Sequence, residues 1–324
     1  MKYQKTLAVL AGLTFAGALS QAQIAVGDNL TISGFGDLRY DNVDSSTLDV
    51  SSFNVTEVEI DFSLSLDKIS AEIHLQSLPA TQNDGVELEQ AFVSTDLGGF
   101  TVTAGRMLNL LGLESDEKTG LAFVDHAFPV LENLTVAGLA APIDLNLNTT
   151  RRYNDGVRAA ISQGDFSLAA SITDDYSGGF NINDEDGFDE LAFDVAVTYT
   201  GIENLSASVG YASSEADSVL GDASILNVHA TYNLGQLTLA GEYNDIEIAD
   251  EDTDSYILMG SYALNDTVTA SVRHSEISDM DAEKTSIALS YIFSDNLLTR
   301  VQYTNADVSN EDEDAFHLQG ILSF

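Results

Sequence analysis

Apolar and polar residues alternate along the chain from position 29 onward. Val58, Ile60 and Phe62, for example, are separated by Glu59 and Asp61. A period of two residues is typical of β-strands that have two unlike faces. Helical periodicity does not occur over a comparable length. The pattern therefore predicts an almost wholly β protein.

Two kinds of connection separate the predicted strands. Short connections with tight-turn residues lie at 67–68, 98–99, 164–165, 201–204, 234–235, 265–266 and 295–296. Longer, acidic connections lie at 42–51, 78–85, 109–150, 177–188, 214–221, 246–252, 278–282 and 307–312. The two kinds alternate strictly, which is typical of a transmembrane barrel with short periplasmic turns and longer external loops. A large soluble barrel or sandwich would also alternate in polarity, but it would not need this order of connections.

The number of short turns gives the size of the predicted barrel. Seven turns define fourteen strands, and a first strand at 29–41 and a last one at 313–324 bring the total to sixteen. An even number of antiparallel strands closes the sheet without leaving an exposed edge. The connection 109–150 is much longer than the others, and loops of that length are usually functional. An extra strand pair around 133–149, giving eighteen strands, is the alternative.

The first 22 residues are predicted to be a cleaved signal peptide. Lys2 and Lys5 precede an apolar run from Leu7 to Leu19, and small residues precede a cleavage site after Ala22. The run is shorter than a spanning helix requires, although an N-terminal anchor is the alternative. The remaining residues, 23–324, are predicted to leave the cytoplasm and to form a single transmembrane barrel domain.

The composition restricts the function. Fifty-two acidic residues stand against 12 basic ones, for a net charge of −40. Nucleic acids attract basic proteins, so this balance argues against a nucleic-acid partner. The hydrophobic content of 44% is that of a folded chain rather than a disordered acidic one. No GxSxG, HExxH or P-loop motif is present and the five histidines are scattered, so no enzymatic activity, cofactor or catalytic residue is predicted.

The last strand carries a recognisable signature. Phe316, Leu318, Leu322 and the terminal Phe324 occupy every second position apart from Gly320. This pattern resembles the C-terminal signal that bacterial outer-membrane barrels present to their insertion machinery. Phe324 is therefore predicted to be a membrane-insertion signal, and the barrel-insertion machinery a partner.

Signal peptide, sixteen strands, one long third loop and a terminal Phe together resemble the general diffusion porins of Gram-negative bacteria. The segments Gln90–Val93, Phe100–Arg106 and Leu111–Glu114 are most similar to the beta-barrel porin-2 class. The resemblance implies an outer-membrane channel for passive diffusion of small hydrophilic solutes and ions, commonly a homotrimer in contact with lipid and lipopolysaccharide. It also implies that the third loop, 109–150, folds into the lumen as a constriction loop.

The residues predicted to line the pore follow from the resemblance and from the register. On the loop they are Glu114, Asp116, Glu117 and Asp125. On the inner register they are Asp37, Glu57, Glu59, Asp61, Glu72, Asp194 and Glu242, with Arg39, Arg158, Arg273 and Arg300 facing them. Carboxylate rings attract cations, and a few facing arginines would produce a transverse field, so a cation preference is predicted.

Arg106 is a special case among the predicted pore-lining residues. It shares the register of Phe100 and Val102, so strict alternation would turn it toward lipid. A β-bulge at Gly105 would turn it inward, and on that basis Arg106 is included in the pore.

Three further points stay open at this level. An adhesin or structural barrel with a plugged lumen is the alternative from another functional class, and a substrate-specific channel is a narrower version of the first. The acidic stretches at 250–254 and 184–186 could hold Ca²⁺ or Mg²⁺ shared with lipopolysaccharide phosphates, although neither fits an EF-hand and no protein metal site is predicted. The faces around Gly34, Gly36 and Gly320 are candidates for a trimer contact.

Overall fold

A computed structural model describes most of the chain. The described ranges are 23–45, 49–79, 83–127, 131–134, 143–145, 153–174, 191–214, 223–248, 251–278, 282–308 and 311–324. The predicted signal peptide and the acidic stretch at 184–186 lie outside these ranges, as do parts of the predicted constriction loop. Within the described ranges, no helix is long and apolar enough to cross a membrane.

Sixteen long antiparallel strands form one closed sheet in the described part of the chain, and a short strand, Ile24–Val26, pairs with the first of them at its start. The sixteen long strands are β1 (Leu30–Ser45), β2 (Asp49–Ser65), β3 (Ile69–Leu78), β4 (Asn83–Asp96), β5 (Phe100–Leu108), β6 (Tyr153–Gln163), β7 (Phe166–Thr173), β8 (Ala192–Tyr199), β9 (Leu205–Ser214), β10 (Ala223–Leu234), β11 (Leu237–Ile248), β12 (Glu251–Ala263), β13 (Val268–Ile277), β14 (Ala282–Ser294), β15 (Leu297–Val308) and β16 (Glu311–Ser323). Each strand pairs with the next, and β16 pairs with β1. The predicted sixteen-stranded antiparallel barrel is confirmed.

The extra strand pair considered for the long connection exists, but it is not part of the barrel. Leu131–Leu134 and Ile143–Leu145 pair with each other in a separate two-stranded sheet. The strand β5 pairs directly with β6 across this connection. The barrel therefore closes with sixteen strands, and the eighteen-stranded alternative is wrong.

The two ends of the barrel sheet meet at Phe324. Its N–H donates to Gly34 O at 3.0 Å, and Gly34 N–H donates to Phe324 O at 3.1 Å. A Cβ added to Gly34 would lie 2.8 Å from the Phe324 ring and 2.3 Å from Glu59 O, whereas Gly36 and Gly320 have nothing within 4 Å. Of the three glycines considered for a trimer contact, Gly34 is thus covered by the terminal phenylalanine. The other two leave the outer surface open beside the seam.

Three of the predicted acidic loops are largely strand. The strand β1 continues to Ser45 and β2 begins at Asp49, inside the predicted loop 42–51. The same holds for 246–252 and 307–312. Outside the hydrocarbon both faces of a strand meet water, so polar residues fill both registers and the period of two is lost from the sequence. The backbone ladder does not depend on that period and continues.

Carboxylates face one another on the outer surface of β11–β16, near the ends that lead into the longer connections. Asp245 lies opposite Asp254, and Glu283 lies opposite both Glu276 and Asp307. We call this set the acidic collar; its members are Asp245, Glu247, Asp252, Asp254, Glu276, Glu283, Asp307, Asp312 and Asp314. Like charges directly opposite in a sheet are destabilising. The collar therefore reduces the stability of this half of the barrel.

Replacing Glu283 with glutamine is expected to stabilise the folded barrel at low ionic strength. The change removes two opposed pairs at once, and each cross-strand pair contributes roughly 0.2–1 kcal/mol. Urea unfolding in detergent, followed by far-UV circular dichroism, measures the effect, and salt should diminish it because exposed charges are screened. Glu203→Gln, in the exposed turn 201–204, is the control and should change little. A destabilised Glu283→Gln protein would contradict the expectation.

Candidate functional site

A segment of the long connection lies inside the barrel. We call residues 109–127 the inner loop, since they follow β5 directly and remain described up to Ala127. Leu111, Leu113 and Phe123 are fully buried. Leu111 packs against the inner-facing residues Ala192, Ala212, Ile225 and Ile246 of β8–β11. Apolar side chains in a loop this deeply buried require a protein wall around them, and here the barrel supplies it.

Acidic and amide side chains of the wall hold the first half of the inner loop. Leu110 N–H donates to Asp194 Oδ2 at 2.8 Å, and Leu113 N–H donates to Glu242 Oε1 at 3.2 Å. Gly112 N–H lies 3.4 Å from Asn227 Oδ1, which extends the series to β10. Buried backbone donors need partners. Asp194 and Glu242, predicted to line the pore, thus bind the backbone of the inner loop.

Arg273 on β13 binds the second half of the inner loop. Its Nη1 donates to Glu114 Oε1 at 2.6 Å, and its Nη2 donates to Asp125 Oδ1 at 3.1 Å. The guanidinium also donates to two loop carbonyls and lies 4.3 Å from the centre of the Phe123 ring. Lys284 on β14 forms a second ion pair with Asp125. Burial would raise the pKa of Asp125, but Lys284 and Arg273 hold it well below its usual range.

Arg300 on β15 completes this attachment. Its Nη2 donates to Leu121 O at 2.7 Å and its Nη1 to Phe123 O at 2.8 Å. Beside it, Val124 N–H donates to Gln302 Oε1 at 2.9 Å. Arg273 and Arg300 face inward as predicted, but both side chains are fully buried behind the inner loop. The charges of these two arginines bind the loop instead of facing an aqueous lumen, and the transverse field stays a prediction.

Carboxylates dominate the inner face of β1–β4. Asp37, Glu57, Glu59, Asp61 and Glu89 are nearly fully buried there. The inner loop adds Asp116 and Glu117 beside them; Tyr153 donates a hydrogen bond to Asp116, and Glu117 Oε1 lies 3.7 Å from His74 Nδ1. The sequence placed Asp37, Glu57, Glu59 and Asp61 in the lumen, and the structure brings all four together with the tip of the inner loop.

Three other predicted pore residues lie on the inner face with local partners. Arg158 donates from Nε to Ser171 Oγ at 2.9 Å and from Nη2 to the carbonyl of Leu108, at the start of the inner loop. Arg39 pairs with Asp41 at 2.7 Å, and a quarter of its side chain is exposed. Glu72 has 32% of its side chain exposed and lies 3.3 Å from His74 Nε2.

Arg106 does not line the pore. It lies opposite Ala91 on β4 and Asp155 on β6, and its Nη1 is 3.7 Å from Asp155 Oδ2. Asp155 shares the outward register with the exposed Val157. Gly105 has a positive φ of 129°, yet both neighbouring ladders continue through it without a shift. The predicted bulge is absent from this strand, so Arg106 stays in the outward register.

Sequence reasoning missed His74, Glu89 and Lys284 as members of the site. A register shift sets His74 opposite Gln90 and the next residue, Leu75, opposite Leu88. Glu89 is therefore the extra residue of a β-bulge, and both Glu89 and Gln90 turn inward. The signal was the break in alternation at these two consecutive polar residues. Lys284 was visible as a polar residue in the inner register of β14.

Comparison with known proteins places the chain among outer-membrane channels. The profile of a family described as Gram-negative porin matches residues 6–311. No curated protein matches the sequence.

Solved structures support the fold at low sequence identity. The anion-selective porin from Comamonas acidovorans matches with a TM-score of 0.68 and 17% identity, over 91% of this chain and 99% of that one. OmpF of Salmonella typhi, in complex with daunomycin, matches with a TM-score of 0.67 and 11% identity, over 94% and 100%. OmpT of Vibrio cholerae matches with a TM-score of 0.62 and 12% identity, over 93% and 100%. At sequence identities this low, the similarity shows only that these proteins share the barrel fold.

Proposed function

The chain belongs to the family of Gram-negative porins, and from this premise we propose that it forms a water-filled channel through which small hydrophilic solutes and ions diffuse passively. The observation that carries the proposal is the inner loop, bound to the inside of a closed barrel by side chains from β8 to β15. A loop bound in this way narrows the barrel without being part of its wall. The family assignment also supports a channel without catalytic activity.

The distribution of charge inside the barrel supports a preference for cations. The inner loop binds Arg273, Lys284 and Arg300 and removes these charges from the lumen. The carboxylates of β1–β4, together with Asp116 and Glu117, have His74 beside them but fewer lysine or arginine partners, and Lys118 is the only lysine or arginine of the inner loop. Rings of carboxylates favour cation entry. We therefore propose that K⁺ permeates more readily than Cl⁻.

Reversal potentials across a planar bilayer, in a KCl gradient, test the preference. The unsubstituted protein is expected to give a reversal potential whose sign indicates cation selectivity. The double variant Asp116→Asn, Glu117→Gln should reduce the magnitude of that potential severalfold. The effect should be largest at low salt, where the Debye length is about 10 Å or more. Asp245→Asn removes the same kind of charge from the outer surface and serves as the matched control. An anion-selective potential, or equal shifts in both variants, would contradict the proposal.

A substrate-specific channel is the second candidate, because the inner loop covers much of the wall from β8 to β15. The inward-facing Arg273, Ser275, Ser286 and Gln302 are completely buried. Such coverage leaves a narrower passage than a barrel of this strand number would have alone. Single-channel conductance separates the candidates: a general pore conducts steadily in KCl, a specific channel conducts less and is blocked by its solute, and a plugged barrel does not conduct.

Selectivity of relatives does not transfer to this chain at 17% identity. The Comamonas structure is described as anion-selective. This chain carries 52 acidic and 12 basic residues, and its inner arginines bind the loop. The charge of the chain itself therefore supports the opposite preference.

Assembly and surface partners are also proposals. One structurally similar protein, OmpT of Vibrio cholerae, is described in a trimer form, and we propose a homotrimer whose mass in mild detergent can be measured. The open surface at Gly36 and Gly320 is compatible with close packing of a second barrel. The outer-membrane location supports further proposals. Lipopolysaccharide would lie beside the acidic collar, with Ca²⁺ or Mg²⁺ shared between the collar and the lipopolysaccharide phosphates. The barrel-insertion machinery would recognise Phe324 during insertion.

A further inference from the structure

One histidine on the inner wall is surrounded by carboxylates. His74 Nδ1 lies 3.3 Å from Glu59 Oε1 and 3.4 Å from Asp61 Oδ1. It also lies 3.8 Å from Glu89 Oε2 and 3.7 Å from Glu117 Oε1. These residues come from β2, β3, the bulge of β4 and the inner loop. We call His74, Glu59, Glu89 and Glu117 the His74 cluster.

The opposite side of the imidazole ring has its own partner. His74 Nε2 lies 3.3 Å from Glu72 Oε2, so Glu72 can accept a hydrogen bond from Nε2–H. Gln90 supports the same tautomer: its Oε1 accepts from Leu108 N–H at 3.4 Å, which directs its Nε2 donor to His74 Nδ1 at 3.3 Å. Because Gln90 Nε2 is the donor in this contact, His74 Nδ1 must be the acceptor and therefore carries no proton in this tautomer. In this tautomer the unprotonated Nδ1 lies within 3.8 Å of four carboxylates, and Glu72 holds the other nitrogen, as an acid does in many metal-binding histidines.

The carboxylates of the cluster lack the donors that buried charges require. The Glu59 side chain is 0% exposed, and neither of its oxygens has a hydrogen-bond partner. Glu89 Oε2 and Glu117 Oε2 are also buried without a hydrogen-bond partner. Within the described ranges, no lysine or arginine forms an ion pair with these three residues. Burying carboxylates side by side costs several kcal/mol. A protonated His74 would supply one positive charge to them, and a bound divalent cation would supply two.

We propose that the His74 cluster binds a divalent transition-metal cation such as Zn²⁺ or Mn²⁺ through Glu59, His74, Glu89 and Glu117. One ligand atom from each residue lies within 4.8 Å of the others. The ligands of a tetrahedral ion with bonds near 2.0 Å lie about 3.3 Å apart, so the cluster must contract by up to about 1.5 Å and lose the Gln90 contact. An imidazole nitrogen among carboxylates favours first-row metals over Ca²⁺ and Mg²⁺.

A cation in this position would join the inner loop to the wall. Glu117 is the one member from the loop, whereas the other three belong to adjacent barrel strands. The second half of the inner loop is already bound to β13–β15, and the metal would attach its tip to β2–β4. The site therefore goes beyond a passive channel, because metal availability would set the position and charge of the loop.

Isothermal titration of the detergent-solubilised protein with ZnCl₂, after treatment with EDTA, tests the site. One Zn²⁺ per chain is expected. His74→Gln, which removes a ligand, should weaken binding by more than about 100-fold, and Glu72→Gln, which removes only the orienting acceptor, by about 10–100-fold. The matched control is His229→Gln, which changes another inner-facing histidine on β10 and should leave binding unchanged. Equal Zn²⁺ affinity in His74→Gln and the unsubstituted protein would overturn the proposal, as would Ca²⁺ binding more tightly than Zn²⁺.

Thermal unfolding of the Glu59→Gln variant separates a metal site from a cluster held by protons alone. Without metal, the variant is expected to unfold at a higher temperature, because one uncompensated buried charge is gone. With Zn²⁺, the unsubstituted protein should gain stability and the variant should gain less, since a ligand stabilises only the form that binds it. A metal-free gain with no Zn²⁺ response in either protein would overturn the proposal. Neither experiment requires conduction, so failure of the metal site and failure of the channel are distinguishable.

Discussion

Replacing Arg273 with methionine is expected to destabilise the folded protein by about 3–5 kcal/mol, the range for breaking a buried ion pair on one side. The guanidinium is fully buried and is shared by Glu114 and Asp125, and it also binds two carbonyls of the inner loop. Methionine retains much of the volume but none of the donors. The second half of the inner loop should then detach from β13, which would make the channel conductance larger and noisier.

Unfolding in urea and single-channel recording measure the two effects of Arg273→Met. Far-UV circular dichroism is the appropriate signal, because the chain has no tryptophan. Arg39→Met is the matched control: Arg39 also pairs with a carboxylate, Asp41, but its side chain is a quarter exposed. Such exposed pairs contribute about 0–1 kcal/mol. If both arginine variants lost the same stability, or if conductance were unchanged in Arg273→Met, the role given to Arg273 would be wrong.

A companion variant distinguishes lost charge pairing from lost packing. Arg273→Met combined with Glu114→Gln removes a buried negative charge along with the positive one, while Asp125 keeps its ion pair with Lys284. Stability is expected to recover partly, because neutral amides are less costly to bury than carboxylates without a cation. Conductance should remain altered, since the loop carbonyls bound by Arg273 have still lost their donor.

The barrel was predictable from sequence because one physical constraint repeats in every strand. Lipid on one side forces an apolar register, so Val58, Ile60 and their equivalents mark strand after strand. The constraint ends where the strand leaves the hydrocarbon. At Asp44 and Asp49, or Asp307 and Asp312, the strands continue while the pattern does not. The number of strands was therefore predictable and the lengths of the external connections were not.

The inner site was only half predictable, because alternation gives the face of a residue and not what covers it. Arg273 and Arg300 were correctly assigned to the inner register, yet the same register does not say that a loop segment would bind them. Contacts between residues far apart in sequence, such as Glu114 with Arg273, leave no local pattern. Glu89 was missed for a different reason: a bulge shifts the register by one residue, and strict alternation cannot represent it.

The inner loop contacts both the basic and the acidic part of the barrel wall. Its backbone and its carboxylates Glu114 and Asp125 bind the basic wall at β13–β15, whereas Glu117 reaches the acidic wall at β2–β4. The first contact satisfies buried charges on both partners. The second adds negative charge to a region that already has an excess of it. The structure therefore concentrates its uncompensated charge at the tip of the loop, where permeating or bound cations can respond to it.

Gly105→Ala is expected to prevent correct assembly, with a loss of about 3 kcal/mol or more. The residue has a φ of +129°, a conformation that costs a non-glycine residue about 1–3 kcal/mol. An added Cβ would lie 2.2 Å from Ala91 O and 2.8 Å from Phe92 Cα, both backbone atoms of β4. Relieving that contact means moving β4 away from β5, and overpacking of this kind typically adds 1–3 kcal/mol.

The Gly105→Ala substitution is expected to affect the inner face of the barrel as well as folding. The next residue, Arg106, donates from Nε to Glu89 O and so supports the bulge that turns Glu89 inward. Displacing β4 should therefore lower the folded yield, measured as heat-modifiable migration on gels, and disturb the His74 cluster in whatever fraction folds. Gly320→Ala is the matched control, because nothing lies within 4 Å of a Cβ added there. Normal folding of Gly105→Ala would show that β4 and β5 tolerate a wider separation, and the loop entrance would then be less constrained than this backbone approach implies.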